Sequence, residues 1–206
     1  MISADEVVLY LSELFPEARC ELNYSSVFEL LVAVILSAQC TDKRVNAVTE
    51  KLFKKYNTPE QFMSLTPEEL GKEIYSCGFY AAKAKNIINA SRDIVEKFNG
   101  QVPQTLKELV GLAGVGMKTA KVILSEGYGQ PAIAVDTHVG RIARRLGLTK
   151  ETNPDKVSTL LEKKFDKKDW SGIHYRMVLF GRYKCKAVRP NCEGCKFAKN
   201  CNFNKK

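Results

Sequence analysis

At recurring points along the chain a Ser or Thr is followed three residues later by Glu or Gln, as in four helix-start signals: Ser3-x-x-Glu6, Thr58-Pro59-Glu60-Gln61, Thr66-Pro67-Glu68-Glu69 and Thr105-x-x-Glu108. In that pattern the hydroxyl takes the amide of the third helical residue, and the Glu or Gln side chain reaches back to the N–H of the cap. Pro59 and Pro67 stand at the first helical position, where a missing N–H costs nothing. The segments after such starts carry apolar residues at spacings of three and four, as in Val7, Tyr10, Leu11 and Leu14, and later in Val139, Ile142, Ala143 and Leu146. No run alternates polar and apolar residues with β-branched enrichment between hairpin turns. The chain therefore reads as all-α, with roughly nine to eleven short helices on short polar connections.

With 206 residues and 45% apolar content, one globular unit or two small ones can bury a real core. The longest apolar stretch, LLVAVIL at 30–36, is too short to span a bilayer and reads as a buried helix segment. The N-terminus, acidic at its start, has neither a signal-peptide nor an Arg-rich transit pattern, so a cytoplasmic, bacterial-type protein with no membrane association is expected. The one shift in composition falls near Gln130-Pro131, after the turn-rich EGYGQP stretch, where a second lobe is expected to begin.

Net charge is +9, and most of it sits at one end: from Arg182 to Lys206 there are eight Lys and Arg against the single acid Glu193. A basic end attracts polyanions, nucleic acid above all, although a merely solvated lysine-rich tail has the same composition.

The same end holds CKAVRPNCEGCKFAKNC, in which Cys185, Cys192, Cys195 and Cys201 are separated by six, two and five residues. A Cys-x-x-Cys core brings two thiolates to one ion or cluster, and two further thiols nearby complete tetrahedral or cubane ligation. Disulfides would need an oxidising compartment that nothing here suggests. Spacing alone leaves zinc and a [4Fe–4S] cluster both open. Lys184, Lys186, Arg189, Lys196 and Lys199 are interleaved among the ligands, suited to docking on phosphates or simply to offsetting thiolate charge. Cys20, Cys40 and Cys77 are scattered and read as small buried hydrophobes.

Residues 112–124, LAGVGMKTAKVIL, place Gly114 and Gly116 around Val115 and then Lys118 in the first turn of a helix. Glycine costs chain entropy, so backbone geometry is expected to need both. A lysine at the positive end of a helix dipole works against helix stability, and such local conflicts point to function. Outward-turned amides of a helix–Gly-x-Gly–helix hairpin make an anion nest suited to a phosphate, and such a contact is sequence-independent. Taken alone, the motif is also an ordinary tight turn between helices. Further on, in VDTHVGRIARRL, Asp136 stands at the N-cap of an amphipathic helix, a place where Asp is usually structural. An amine, a carboxylate and a phosphate nest held close together would be the parts for Schiff-base chemistry.

Taken in order, FELLVAVILSAQCTD at 28–42, CGFYAAKAKNI at 77–87, LAGVGMKTAKVIL, VDTHVGRIARRLGL and LFGRYKC running into C-x6-C-x2-C-x5-C resemble the endonuclease III family of helix-hairpin-helix DNA glycosylases across nearly the whole chain. The resemblance implies a two-lobed fold: a six-helix barrel over 20–130 ending in the hairpin, and a second helical domain from 1–19 and 131–206 that carries the cluster loop (185–201). It favours [4Fe–4S] over zinc. It implies a monomer acting on double-stranded DNA containing damaged bases or abasic sites, associated with the nucleoid through DNA.

A base stacked in a duplex hides its glycosidic bond, so the nucleotide must be extruded. By the resemblance, Gln39 fills the gap left behind and Phe79 is the neighbouring wedge; residue type alone would make them a loop residue and a core aromatic. Lys118 attacks C1′, expels the base and forms an imine, and β-elimination then breaks the strand. Attack needs the neutral amine, which a helix N-terminus and burial are expected to favour. Asp136 accepts a proton or stabilises the oxocarbenium-like sugar. The Gly114, Val115 and Gly116 backbone holds phosphate, with Lys121, Arg141, Lys186 and Arg189 as further DNA contacts. Oxidised pyrimidines are the implied lesions and base excision repair the setting.

The chain departs from the family pattern at Ala113, Met117, Val27 and Phe180; Ala113 and Met117 do not touch this chemistry, though the missing cation at 117 is expected to weaken phosphate affinity, and the sequence assigns no consequence to Val27 or Phe180. An adenine-mispair relative is disfavoured because Lys118 is present, and an 8-oxoguanine relative because the four cysteines are. A non-catalytic DNA-binding module would need neither Lys118 nor Asp136.

Overall fold

The computed structural model describes residues 2–204, and among these every regular element is helical. Two compact units divide the chain, one made of residues 1–20 with 130–206 and the other of Glu21–Gly129. Four helices form the first unit: α1 (Ala4–Leu14) and, from later in the chain, α9 (Thr137–Arg145), α10 (Pro154–Lys164) and α11 (Trp170–Leu179). The Glu21–Gly129 unit holds α2 (Val27–Ser37), α3 (Asp42–Lys55), α4 (Pro59–Met63), α5 (Pro67–Glu73), α6 (Tyr80–Phe98), α7 (Leu106–Gly111) and α8 (Met117–Val122).

The helix starts are where the cap signatures put them. Ser3, Thr58 and Thr66 make full capping boxes with Glu6, Gln61 and Glu69. The fourth is incomplete: Thr105 accepts the Glu108 amide, but the Glu108 carboxylate bonds the Thr105 hydroxyl at 2.6 Å. Within the Glu21–Gly129 unit, α2 is buried from Phe28 to Leu36, so LLVAVIL is the core of this unit. No helix among the described residues is long and apolar enough to cross a membrane. Around α2 pack α3, α6 and α8, with α4 and α5 against α6. The long α6 ends where Asn99 and Gly100 turn left-handed and the Gly100 amide closes on the Ile94 carbonyl at 3.0 Å, a stop that asparagine and glycine tolerate.

In the other unit Leu11, Val139, Ile142, Leu161, Ile173 and Met177 meet in one apolar cluster. Tyr10, Phe180 and Phe197 pack edge to face at its margin, with ring centroids 4.9–6.4 Å apart. Phe197 belongs to the cysteine loop, so burial of its ring pins that loop to the core. Of the scattered cysteines only Cys77 is buried; Cys20 and Cys40 are half-buried and lie in the connections between helices.

Candidate functional site

Between α7 and α8 the chain turns through Leu112–Gly116. Gly114 takes φ +76°, and a Cβ there would stand 2.8 Å from the Asn86 Cβ on α6, so both conformation and space require glycine. Gly116 differs. It is extended at φ −89° and a Cβ would meet nothing within 4 Å, so the expectation that backbone geometry needs both glycines holds only for the first. What glycine at 116 does is leave the surface in front of its amide uncovered.

The Val115 amide is already used, donating to the Leu112 carbonyl at 3.1 Å, and its side chain is buried. Val115 therefore packs the hairpin and has no amide to offer to DNA. Among the described residues the Gly114 and Gly116 amides have no hydrogen-bond acceptor. Orphan amides beside the open start of a helix form a place for an anion.

Lys118 projects from the first turn of α8 and is exposed, where burial was expected. Lys121, one turn on, is the buried lysine of this helix at 8% exposure, which takes it off the surface available to DNA. It is buried together with its chain neighbours Ala120 and Val122. After α8 the chain continues as a π-helical turn, Ile123–Gly127, a widened geometry common at functional sites.

Four non-glycine residues among those described take positive φ: Gln39 (+53°), Phe79 (+46°), Asn99 (+52°) and Arg189 (+51°). Asn99 ends a helix. The other three are all residues expected to touch DNA. Phe79 is 69% exposed, so it is no core aromatic, and Gln39 is exposed as well. A bulky side chain in the left-handed region is strained by about 1–3 kcal/mol, and such strain gathers at functional sites.

In the unit formed by residues 1–20 and 130–206, Asp136 caps α9, its Oδ1 accepting the Val139 amide at 2.8 Å. Its second oxygen has no hydrogen-bond partner among the described residues. Arg141, on the same helix, is not free for phosphate. Its guanidinium donates to the Gly181 carbonyl at 2.7 Å and to the Cys185 carbonyl at 3.2 and 3.3 Å, and it lies 3.2 Å from His138 Nδ1. Burial lowers its pKa, the Arg145 charge adding to that, while Cys185 and Asp136 oppose it. Arg141 thus anchors the start of the cysteine loop.

That loop begins where a π-helical turn, Phe180–Lys184, delivers Cys185. Cys201 is buried, and Cys185 and Cys195 pack against the apolar cluster. Burial pushes the Cys195 thiol up, the nearby Cys185 and Cys192 adding to it and the Phe197 amide and Lys184 opposing. Among the described residues no three His, Cys, Asp or Glu side chains converge as ligands of a single ion. A zinc ion would hold four sulfurs at about 2.3 Å. An iron–sulfur cubane binds each thiolate at a different iron, so its ligands stand further apart. Four cysteine thiols on one core-anchored loop are the donor set that such a cluster takes. Lys186 and Arg189 lie exposed on the loop.

Two contributors were not singled out from sequence. Arg145 donates to Cys185 Sγ at 3.2 Å and to the Lys186 and Ala187 carbonyls at 2.8 and 2.9 Å, and it lies 4.2 Å from the Phe203 ring. Lys83 is buried beneath the Gln39 and Phe79 turns. Its place on the apolar stripe of α6, with Ala84, Ile87 and Ile88, was the available signal.

Residues 32–167 match the family of HhH-GPD superfamily base excision DNA repair proteins. The endonuclease III of Bacillus subtilis (strain 168) is 48% identical over 95% of this chain and 90% of its own length. That of Escherichia coli (strain K12) is 40% identical over 98% of this chain and 95% of its own. Among solved structures, a trapped endonuclease III–DNA covalent intermediate, an estranged-adenine complex, superposes with a TM-score of 0.94 at 45% identity, covering 98% of this chain and 95% of that one. A non-covalent endonuclease III–DNA complex gives a TM-score of 0.95 at 44% identity, covering 100% and 98%. On this likeness over nearly its full length, the chain belongs to the endonuclease III family of HhH-GPD base excision DNA repair proteins.

Proposed function

We propose that this chain excises oxidised pyrimidines from double-stranded DNA with Lys118 as nucleophile and then nicks the strand. Its class, a base excision DNA glycosylase with lyase activity at abasic sites, comes with the family. The observation that carries the residue-level reading is the hairpin: two unpartnered amides, Gly114 and Gly116, and the exposed amine of Lys118 all stand at the open start of α8.

A phosphate of the damaged strand accepts from the Gly114 and Gly116 amides, which fixes the strand relative to Lys118. Phe79 wedges beside the extruded nucleotide, and Gln39 meets the orphaned partner base with its amide, which both donates and accepts. Bound DNA covers Lys118 and supplies the desolvation that the free chain lacks. The Nζ lone pair forms a bond to C1′ as the bond from C1′ to the base breaks; the base leaves with a proton and the sugar ring opens to an imine. Loss of a proton from C2′ then expels the 3′ phosphate by β-elimination. Asp136, through its unpartnered oxygen, takes the proton from the attacking amine or steadies positive charge on the sugar. Lys186 and Arg189 add phosphate contacts.

We assign a [4Fe–4S] cluster to Cys185, Cys192, Cys195 and Cys201; when bound it would cross-link the loop into one shape. Nicking of a duplex with a single abasic site tests the assignment of Lys118. Lys118→Ala is expected to lose nicking while still binding the duplex, and full nicking by that variant would remove Lys118 as the nucleophile.

A further inference from the structure

Lys83 is 6% exposed on α6. An ammonium is costly to bury unless each N–H finds an acceptor. Here all three do: Nζ donates to the carbonyls of Leu36 at 2.8 Å, Ala38 at 2.8 Å and Cys77 at 2.7 Å. Those carbonyls close two helices, α2 with its cap Ala38 and the 3-10 turn Tyr75–Cys77. Helix C-termini carry partial negative charge, so a cation is well placed there. Burial still pushes the ammonium pKa down, with the Cys40 and Cys77 thiols opposing it.

Two of these carbonyls lie just ahead of exposed, left-handed residues: Gln39 comes directly after Ala38, and Phe79 comes two residues after Cys77. The backbone amide of Lys83 also donates to the Phe79 carbonyl at 3.1 Å. One residue thus holds both turns by peptide groups next to their exposed side chains. Strain of the kind Phe79 carries persists only where its surroundings over-determine it, and Lys83 is the shared constraint.

We propose that Lys83 is a positioning residue for nucleotide extrusion, its ammonium locking the Gln39 and Phe79 turns together so that both side chains enter the duplex as one unit. This rests on the reading of Gln39 and Phe79 as the inserting residues.

The test compares Lys83→Met with the Gln39→Ala/Phe79→Ala double variant, using cluster-loaded enzyme. Each is assayed on a duplex carrying an oxidised thymine, which demands extrusion, and on a single-stranded abasic oligonucleotide, which does not. Lys83→Met is expected to slow duplex cleavage by roughly tenfold or more and to leave single-strand cleavage within about twofold. Added to the double variant, it is expected to have no further effect, because residues acting through one another are not additive. Equal loss on both substrates, or a further loss in the double-variant background, would overturn the proposal. Full duplex activity in the double variant alone would instead overturn the reading of Gln39 and Phe79. Should Lys83→Met fail to fold by circular dichroism, Lys83→Gln takes its place; failure of both would assign Lys83 to fold stability and overturn the proposal.

Discussion

Arg145 points its Nη1 at the sulfur of Cys185, 3.2 Å away, while its two terminal nitrogens hold the carbonyls of Lys186 and Ala187. A single side chain on α9 therefore fixes the ligand and the next two residues of the loop. Groups of this kind orient metal ligands, and their loss costs roughly ten- to hundredfold in metal affinity. Arg145→Met keeps the stem and removes the donors, so iron is expected to leave the variant faster under a chelator. Iron content and visible absorbance against time measure this without reference to activity. Retention equal to that of the unaltered protein would show that the loop needs no such support.

The two hairpin glycines separate fold from binding. Gly114→Ala forces a Cβ to φ +76° and to within 2.8 Å of Asn86 Cβ, so the variant should lose stability by about 1–3 kcal/mol. Gly116→Ala meets nothing in the protein. Its melting temperature should stay close to that of the parent while its affinity for abasic duplex falls, since the methyl group stands in front of the open amide. Thermal melts and a binding titration on both variants give the four numbers needed.

Phe79 holds left-handed backbone with a side chain that is 69% exposed, so the fold gains little from the ring. Asparagine adopts that backbone more easily. Phe79→Asn is expected to raise stability by up to about 1 kcal/mol while lowering cleavage of a lesion-bearing duplex, the trade expected where strain serves function. A variant both less stable and fully active would show the ring to be structural.

Capping carries a pH signature. The Glu69 carboxylate accepts the Thr66 amide at 2.8 Å and the Thr66 hydroxyl at 2.9 Å, and the amide bond first, then the hydroxyl, holds its pKa below the ordinary value. A depressed carboxylate adds stability above its unfolded pKa and loses it as pH falls through the folded one. The equivalent position in the Thr58 box is Gln61, which does not titrate. Glu69→Gln should therefore show a smaller fall in melting temperature between about pH 6 and about pH 3 than the parent. Identical pH curves would mean the box contributes nothing.

What the sequence discloses depends on the range of the interactions. Helix starts at Ser3, Thr58 and Thr66 depend on atoms three residues apart, and they are found where the pattern puts them. The buried face of α9 comes from apolar spacing in the same way, and the burial of α2 from its unbroken apolar run. The left-handed turns at Gln39 and Phe79 do not, because neither residue type asks for that backbone; a lysine more than one element away from Gln39 sets it. Arg141 and Lys121 look like free cations in a basic segment, yet one is spent on loop carbonyls and the other lies inside. Charge shows in a sequence; the acceptor that neutralises it shows only in three dimensions.

Borohydride trapping bears most directly on the central claim. Protein is incubated with a duplex carrying one oxidised thymine, reductant is added, and covalent protein–DNA is sought, with Lys118→Ala alongside. The expected result is a cross-link formed by the parent chain and absent from the variant, which would fix the imine, its lysine and the lesion class together. A cross-link of equal yield in Lys118→Ala would contradict the account.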